Sequence, residues 1–82
     1  MDDIRIFPNP TKDVLHIDLS LYLGQRAEIR LLNSVGQAVR IEQYDEGTAI
    51  PQIDVSALAP GIYHFVIEVG AQRVVKRVVV AN

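Results

Sequence analysis

An 82-residue chain has room for one domain, which buries roughly 60–70% of the surface its unfolded form exposes, so a core of modest stability is expected. With 49% apolar and 22% charged residues, the composition is that of a globular protein rather than a disordered one. Eight basic residues against ten acidic ones give a formal charge of −2, which leaves no cationic field for nucleic acid, and the lack of cysteine removes disulfides, thiolate metal sites and cysteine nucleophiles.

No apolar run approaches the roughly 20 residues that a membrane-spanning helix needs, so membrane insertion is not expected. The first residues have neither the basic patch nor the apolar stretch of an export signal, which would have to lie upstream. Residues 1–3 read as a short polar linker, or as an initiator codon set before an excised domain, and residues 4–82 as the domain itself.

Short segments rich in Val, Ile, Leu and Tyr recur between turn signals, and no apolar pattern holds a 3.6-residue period over three turns. The pattern predicts an all-β protein with strands over residues 4–7, 14–19, 27–33, 37–44, 48–54, 61–69 and 73–81. After the first strand, Pro8-Asn9-Pro10 contains two rings without N–H donors and forces a bend. In the second, Leu15, Ile17 and Leu19 alternate with Val14, His16 and Asp18, the signature of a half-buried strand. Residues 18–26, with Leu19, Leu21, Tyr22 and Leu23 before Gly24, are compatible with a longer strand end, a loop or a short turn of helix, and are read as a loop.

Asn33-Ser34-Val35-Gly36 suits a type I turn followed by a bulge, with Gly36 able to take positive φ, so strands three and four should form a hairpin. Asp45-Glu46-Gly47 lacks the alternating carboxylates of a calcium loop and reads as a solvated hairpin turn. Tyr63, Phe65, Ile67 and Val69 share one face of the sixth strand, against His64 and Glu68 on the other, with Val66 the exception. Gly70-Ala71 suits a type II′ turn into the seventh strand. There Val74, Val75, Val78, Val79 and Val80 put valine on both faces, so either both are covered or one is left for a partner.

Leu58-Ala59-Pro60-Gly61-Ile62-Tyr63 matches the corner of immunoglobulin-like sandwiches, in which the tyrosine ring packs in the core and its hydroxyl bonds back to upstream backbone. That makes the fold class an immunoglobulin-like β-sandwich of about seven antiparallel strands in two sheets, and Tyr63 an architectural residue rather than an acid. No catalytic group is expected. His16 and His64 are isolated, Gly-x-Ser-x-Gly is missing, Ser20, Ser34 and Ser56 sit at turns or strand ends, and no carboxylate pair has walls for a substrate cleft. No cofactor and no metal are expected. Lys76-Arg77 interrupts the valine-rich last strand; such charges either keep an edge from pairing with other molecules or serve recognition.

Four blocks in order resemble the type A C-terminal sorting domain of the type IX secretion system. Residues 6–17, Ile-Phe-Pro-Asn-Pro-Thr-Lys-Asp-Val-Leu-His-Ile, resemble its opening signature, and residues 31–39, Leu-Leu-Asn-Ser-Val-Gly-Gln-Ala-Val, its central hairpin. Residues 53–63 are similar to its tyrosine block, and Lys76-Arg77-Val78-Val79-Val80 to its basic-hydrophobic ending. Phe7 stands where tyrosine is frequent and Asn33 where aspartate is frequent, and neither change threatens the fold.

The resemblance implies a tail that carries an upstream cargo. The cargo would cross into the periplasm by its own signal peptide, then pass the outer membrane to the cell surface or the medium through the translocon. A surface sortase usually removes the tail and joins the cargo to anionic lipopolysaccharide, with the cut at or before residues 1–3. Gly61, Tyr63, Lys76, Arg77, Val78, Val79 and Val80 are the expected recognition residues for translocon and sortase, and Pro8, Asn9, Pro10, Gly36, Leu58, Gly61 and Tyr63 the fold-defining ones. An uncovered valine-rich edge also suggests a homodimer. The alternative function for the same sandwich is an adhesive or carbohydrate-binding module, which usually displays aromatic side chains; this chain has no tryptophan and only three tyrosines and two phenylalanines.

Overall fold

In the computed structural model, which describes residues 4–8, 10–22, 24–47 and 49–81, the alternating segments become seven strands. They are β1 (Arg5–Phe7), β2 (Val14–Asp18), β3 (Ala27–Leu32), β4 (Ala38–Tyr44), β5 (Gln52–Asp54), β6 (Gly61–Val69) and β7 (Gln72–Val80). A three-stranded sheet runs β1-β2-β5 and a four-stranded sheet β4-β3-β6-β7, with every strand pair antiparallel. The expected all-β sandwich is thus present.

Each strand buries the face that its alternation marks. Leu15, Ile17 and Ile53 from the smaller sheet join Ile29, Leu31, Phe65, Ile67, Val69, Val78 and Val80 from the larger in one cluster. Phe65 is its largest fully buried side chain. Val66, on the outer face, is nevertheless buried: it sits on a central strand between Arg30 of β3 and Val75 of β7, whose side chains flank it.

Both expected hairpins form. The Gly36 amide donates to the Asn33 carbonyl at 3.0 Å and the Asn33 amide to the Gln37 carbonyl at 2.9 Å, with Gly36 at φ 86° in the bulge position. Asn33 Oδ1 also accepts from the amides of Val35 and Gln37, at 3.1 and 3.0 Å, which explains a short carboxamide at that place. Gly70 has φ 58° while Ala71, like every other described non-glycine residue, does not have positive φ, as a type II′ turn requires.

Three expectations are corrected. The fifth strand is confined to Gln52–Asp54, because Pro51 has no N–H to donate; upstream, carbonyls still serve β2, with the Ile17 amide donating to Pro51 at 3.1 Å and the Leu19 amide to Ala49 at 2.7 Å. Thr48, expected to open that strand, lies outside the described residues. The stretch read as a loop contains a 3₁₀ turn, Ser20–Tyr22, started by Asp18, whose Oδ1 accepts from the Ser20 amide at 3.0 Å; Leu23 lies outside the described residues. Asp45-Glu46-Gly47 is exposed as expected but makes no hairpin, since β4 pairs with β3 and the next strand, β5, with β2; it begins a crossing between sheets.

Removing the largest core side chain should therefore be severe. Phe65→Ala is expected to cost about 3–5 kcal/mol, a large share of the stability available to so small a domain, read as a lowered urea midpoint.

Candidate functional site

The β6–β7 hairpin gathers most of the residues singled out in the sequence. At its base Tyr63 is 7% exposed and its hydroxyl donates to the Ala59 carbonyl at 2.6 Å, while Leu58 packs against the core. Gly61 opens β6 at φ 155°, a backbone angle that L side chains rarely adopt, with open space where a Cβ would stand. The backbone angle, not crowding, selects glycine here. In register, Gly61 lies opposite Val80 and Tyr63 opposite Val78, so the tyrosine block and the chain's last strand are neighbours.

The two faces of β7 differ sharply. Val74, Val78 and Val80 point into the core and are buried, whereas Val75 is 57% exposed and Val79 half-buried on the outer face. Lys76 shares the inward face, opposite Phe65, and is only half-buried, as a long side chain with an apolar stem allows. Arg77, opposite His64, is exposed on the outer face.

The edges of the two sheets meet at an open cleft of about 700 Å³ between β1 and β7, lined among others by Arg5, Phe7, Asp18, Lys76 and Arg77. Among the described residues, three cations and one carboxylate line it. Its acid is stabilised: hydrogen bonds from the Ser20 hydroxyl and amide, with the nearby Arg5, hold Asp18 below the usual carboxylate range. Asp54 is lowered in the same way by Ser56, whose hydroxyl and amide donate at 2.6 and 2.9 Å, assisted by Arg40.

Thr11 was given no role in the sequence and closes this side of the sandwich. Beyond the bend at Pro8 and Pro10 the Thr11 amide donates to the Val79 carbonyl at 2.9 Å, and the Ala81 amide donates to the Thr11 carbonyl at 2.8 Å, a parallel bridge against β7. Thr11 is 1% exposed and its hydroxyl donates to the Val14 carbonyl at 3.3 Å. The opening and closing blocks of the sequence therefore touch. Asn9 lies outside the described residues, and Gly36 sits in the β3–β4 turn, with β6 intervening before β7.

Nothing in these surroundings assembles a catalytic set among the described residues. His16 is half-buried and stacks on Phe7, its partner across β1 and β2, with ring centroids 5.4 Å apart. Tyr63 and Phe65 are buried, and Tyr22 and Tyr44 pack partly against the core, so the aromatics form no exposed row for stacking on sugars.

A sequence model of secretion system C-terminal sorting domains matches residues 5–81. The chain belongs to that family. It is a C-terminal sorting domain of the type IX secretion system, a non-enzymatic module. Membership implies interaction with the secretion machinery, a cargo upstream, and delivery to the cell surface or outside. A comparison with curated proteins finds no match.

Two outcomes test the architecture of the sorting domain. Tyr63→Phe keeps the ring and loses the bond to Ala59, so the urea midpoint should fall by the equivalent of about 1 kcal/mol with an unchanged slope. Asp18 and Asp54 hold protons less tightly folded than unfolded. Their contribution is full above the unfolded carboxylate range and is lost as the pH falls through their lowered folded values. Asp54→Asn should therefore weaken the loss of stability on acidification, seen by comparing urea midpoints from neutral to acidic pH.

Proposed function

We propose that the translocon recognises this domain through the edge of β7, with Lys76 and Arg77 as the contacting side chains. The supporting observation is the division of labour along that strand: Val78 and Val80 are buried and seat it, while Lys76 and Arg77 line the cleft at the junction of the two sheets. Gly61 and Tyr63 act on this reading by holding the hairpin's base, and Val79 by presenting the outer face. A machine that carries unrelated cargoes gains from one rigid, pre-positioned surface, because less ordering is needed on docking.

Recognition includes addition of a strand to the β7 edge. Along residues 79–81 an incoming strand has to displace Thr11 and replace its two backbone bonds. Self-association through the same edge meets the same requirement. The cargo reaches the periplasm by its own signal peptide and then passes the outer membrane. A cell-surface sortase removes the tail at or before residues 1–3, which lie outside the described residues, and joins the cargo to anionic lipopolysaccharide.

A secreted reporter fused to the domain provides the test. Deleting residues 78–82 should abolish export, but Val78 and Val80 belong to the core, so a second variant separates recognition from folding. Arg77 is exposed, and Arg77→Glu should leave the urea midpoint within the equivalent of about 0.5 kcal/mol. The same variant should lower export about tenfold, the loss expected of a contact worth more than 1 kcal/mol. Native export by Arg77→Glu, or by the deletion, would overturn the assignment of β7.

A further inference from the structure

The far edge of the four-stranded sheet is β4. It is seven residues long, contains neither proline nor glycine, and leaves Val39 and Ile41 43% and 53% exposed. Edges of this kind are templates for another strand.

The register identifies which backbone groups of β4 face outward. Val79 turns its carbonyl away from β6 to meet Thr11, and alternate residues of an antiparallel strand face alternate sides, so Val75 faces outward as well. Val75 lies in one row with Val66, Arg30 and Ile41. Within that row Val66 and Arg30 turn toward each other, and Ile41 turns its N–H and C=O away from β3. Gln43, two residues on, does the same.

Only certain antiparallel pairings of two β4 strands bring these outward groups together. With Ile41 opposite Ile41 of a second copy, Arg40 of each chain stands opposite Glu42 of the other, twice over. Moving Ile41 opposite Gln43 would set Glu42 against Glu42, and moving it opposite Val39 would set Arg40 against Arg40. Opposite charges across a strand pair stabilise it and like charges destabilise it, so one register is selected. The Arg40 side chain reaches from this edge to β5 of the smaller sheet, its Nη1 donating to the Asp54 carbonyl at 2.5 Å, and a guanidinium has further donors for a second partner.

We propose that β4 is a self-association edge, at which two copies of the chain pair antiparallel about a two-fold axis through Ile41 with Arg40 and Glu42 in reciprocal contact. The two four-stranded sheets then form one continuous sheet with a β7 strand at each outer end. This pairing does not rest on the translocon reading, and it does not involve the β7 edge.

Light scattering on size-exclusion fractions of the 82-residue chain, over a concentration series, tests it. The native chain should show a monomer–dimer equilibrium. Glu42→Arg, which sets arginine against Arg40, should weaken the dimer about tenfold or more. Arg40→Glu should do likewise, and an equimolar mixture of the two variants should recover a dimer, since each then opposes charge of the other sign. Because Arg40→Glu also loses the bond to Asp54, Ile41→Pro serves as an independent variant. It removes an outward-facing N–H, which edge strands tolerate, and should abolish the dimer with a retained urea transition. A native chain monomeric at every concentration, a dimer undiminished in Glu42→Arg or Ile41→Pro, or folded charge variants that stay apart when mixed would each overturn the proposal.

Discussion

The seating of the β6–β7 hairpin on the three-stranded sheet is the constraint on which everything else in the domain depends. Phe65, Ile67 and Val69 from one arm and Val74, Val78 and Val80 from the other are buried in the cluster that also contains Leu15, Ile17 and Ile53. Burial of a single large apolar side chain stabilises by about 1.5–3 kcal/mol, and a domain of this size retains only a small net stability, so few of these contacts are dispensable. The inward face of β7 is committed to the core through Val74, Val78 and Val80, and its outer face holds the exposed Val75 and Arg77.

Two local devices fix that strand in place. From one side the Tyr63 hydroxyl, bonded to Ala59, sets the corner from which β6 departs, and Gly61 supplies the backbone angle that lets the corner run directly into a strand. From the other, Thr11 binds β7 through backbone groups. The cleft and its cations then follow from geometry: β1 and β7 are the sheet edges that face each other there, and Arg5, Lys76 and Arg77 sit on them.

Much of this was legible in the sequence, for physical reasons that differ from element to element. Alternation exposed β2 and, Val66 apart, β6 because each turns one face to the core, and Gly36 and Gly70 marked their hairpins because their turns require positive φ. Pro51 should have limited the fifth strand, since its missing donor is visible in the sequence. The route after Asp45 was misread because a turn signal does not reveal which strand comes next in space. Thr11, the Phe7–His16 stack and the reciprocal charges of β4 were invisible for a shared reason: each depends on register or on contact between distant segments, and residue type alone carries neither. The family resemblance supplied the function, which composition and periodicity could not have done, since a sandwich of this class serves many ends.

The bridge between Thr11 and β7 joins a residue near the start of the domain to its last strand. A polypeptide whose leading strand has yet to dock, or whose final residues are missing, cannot present that junction in finished form. A receptor reading this corner would be proofreading: it would admit cargo only when the entire tail had been made and had closed upon itself.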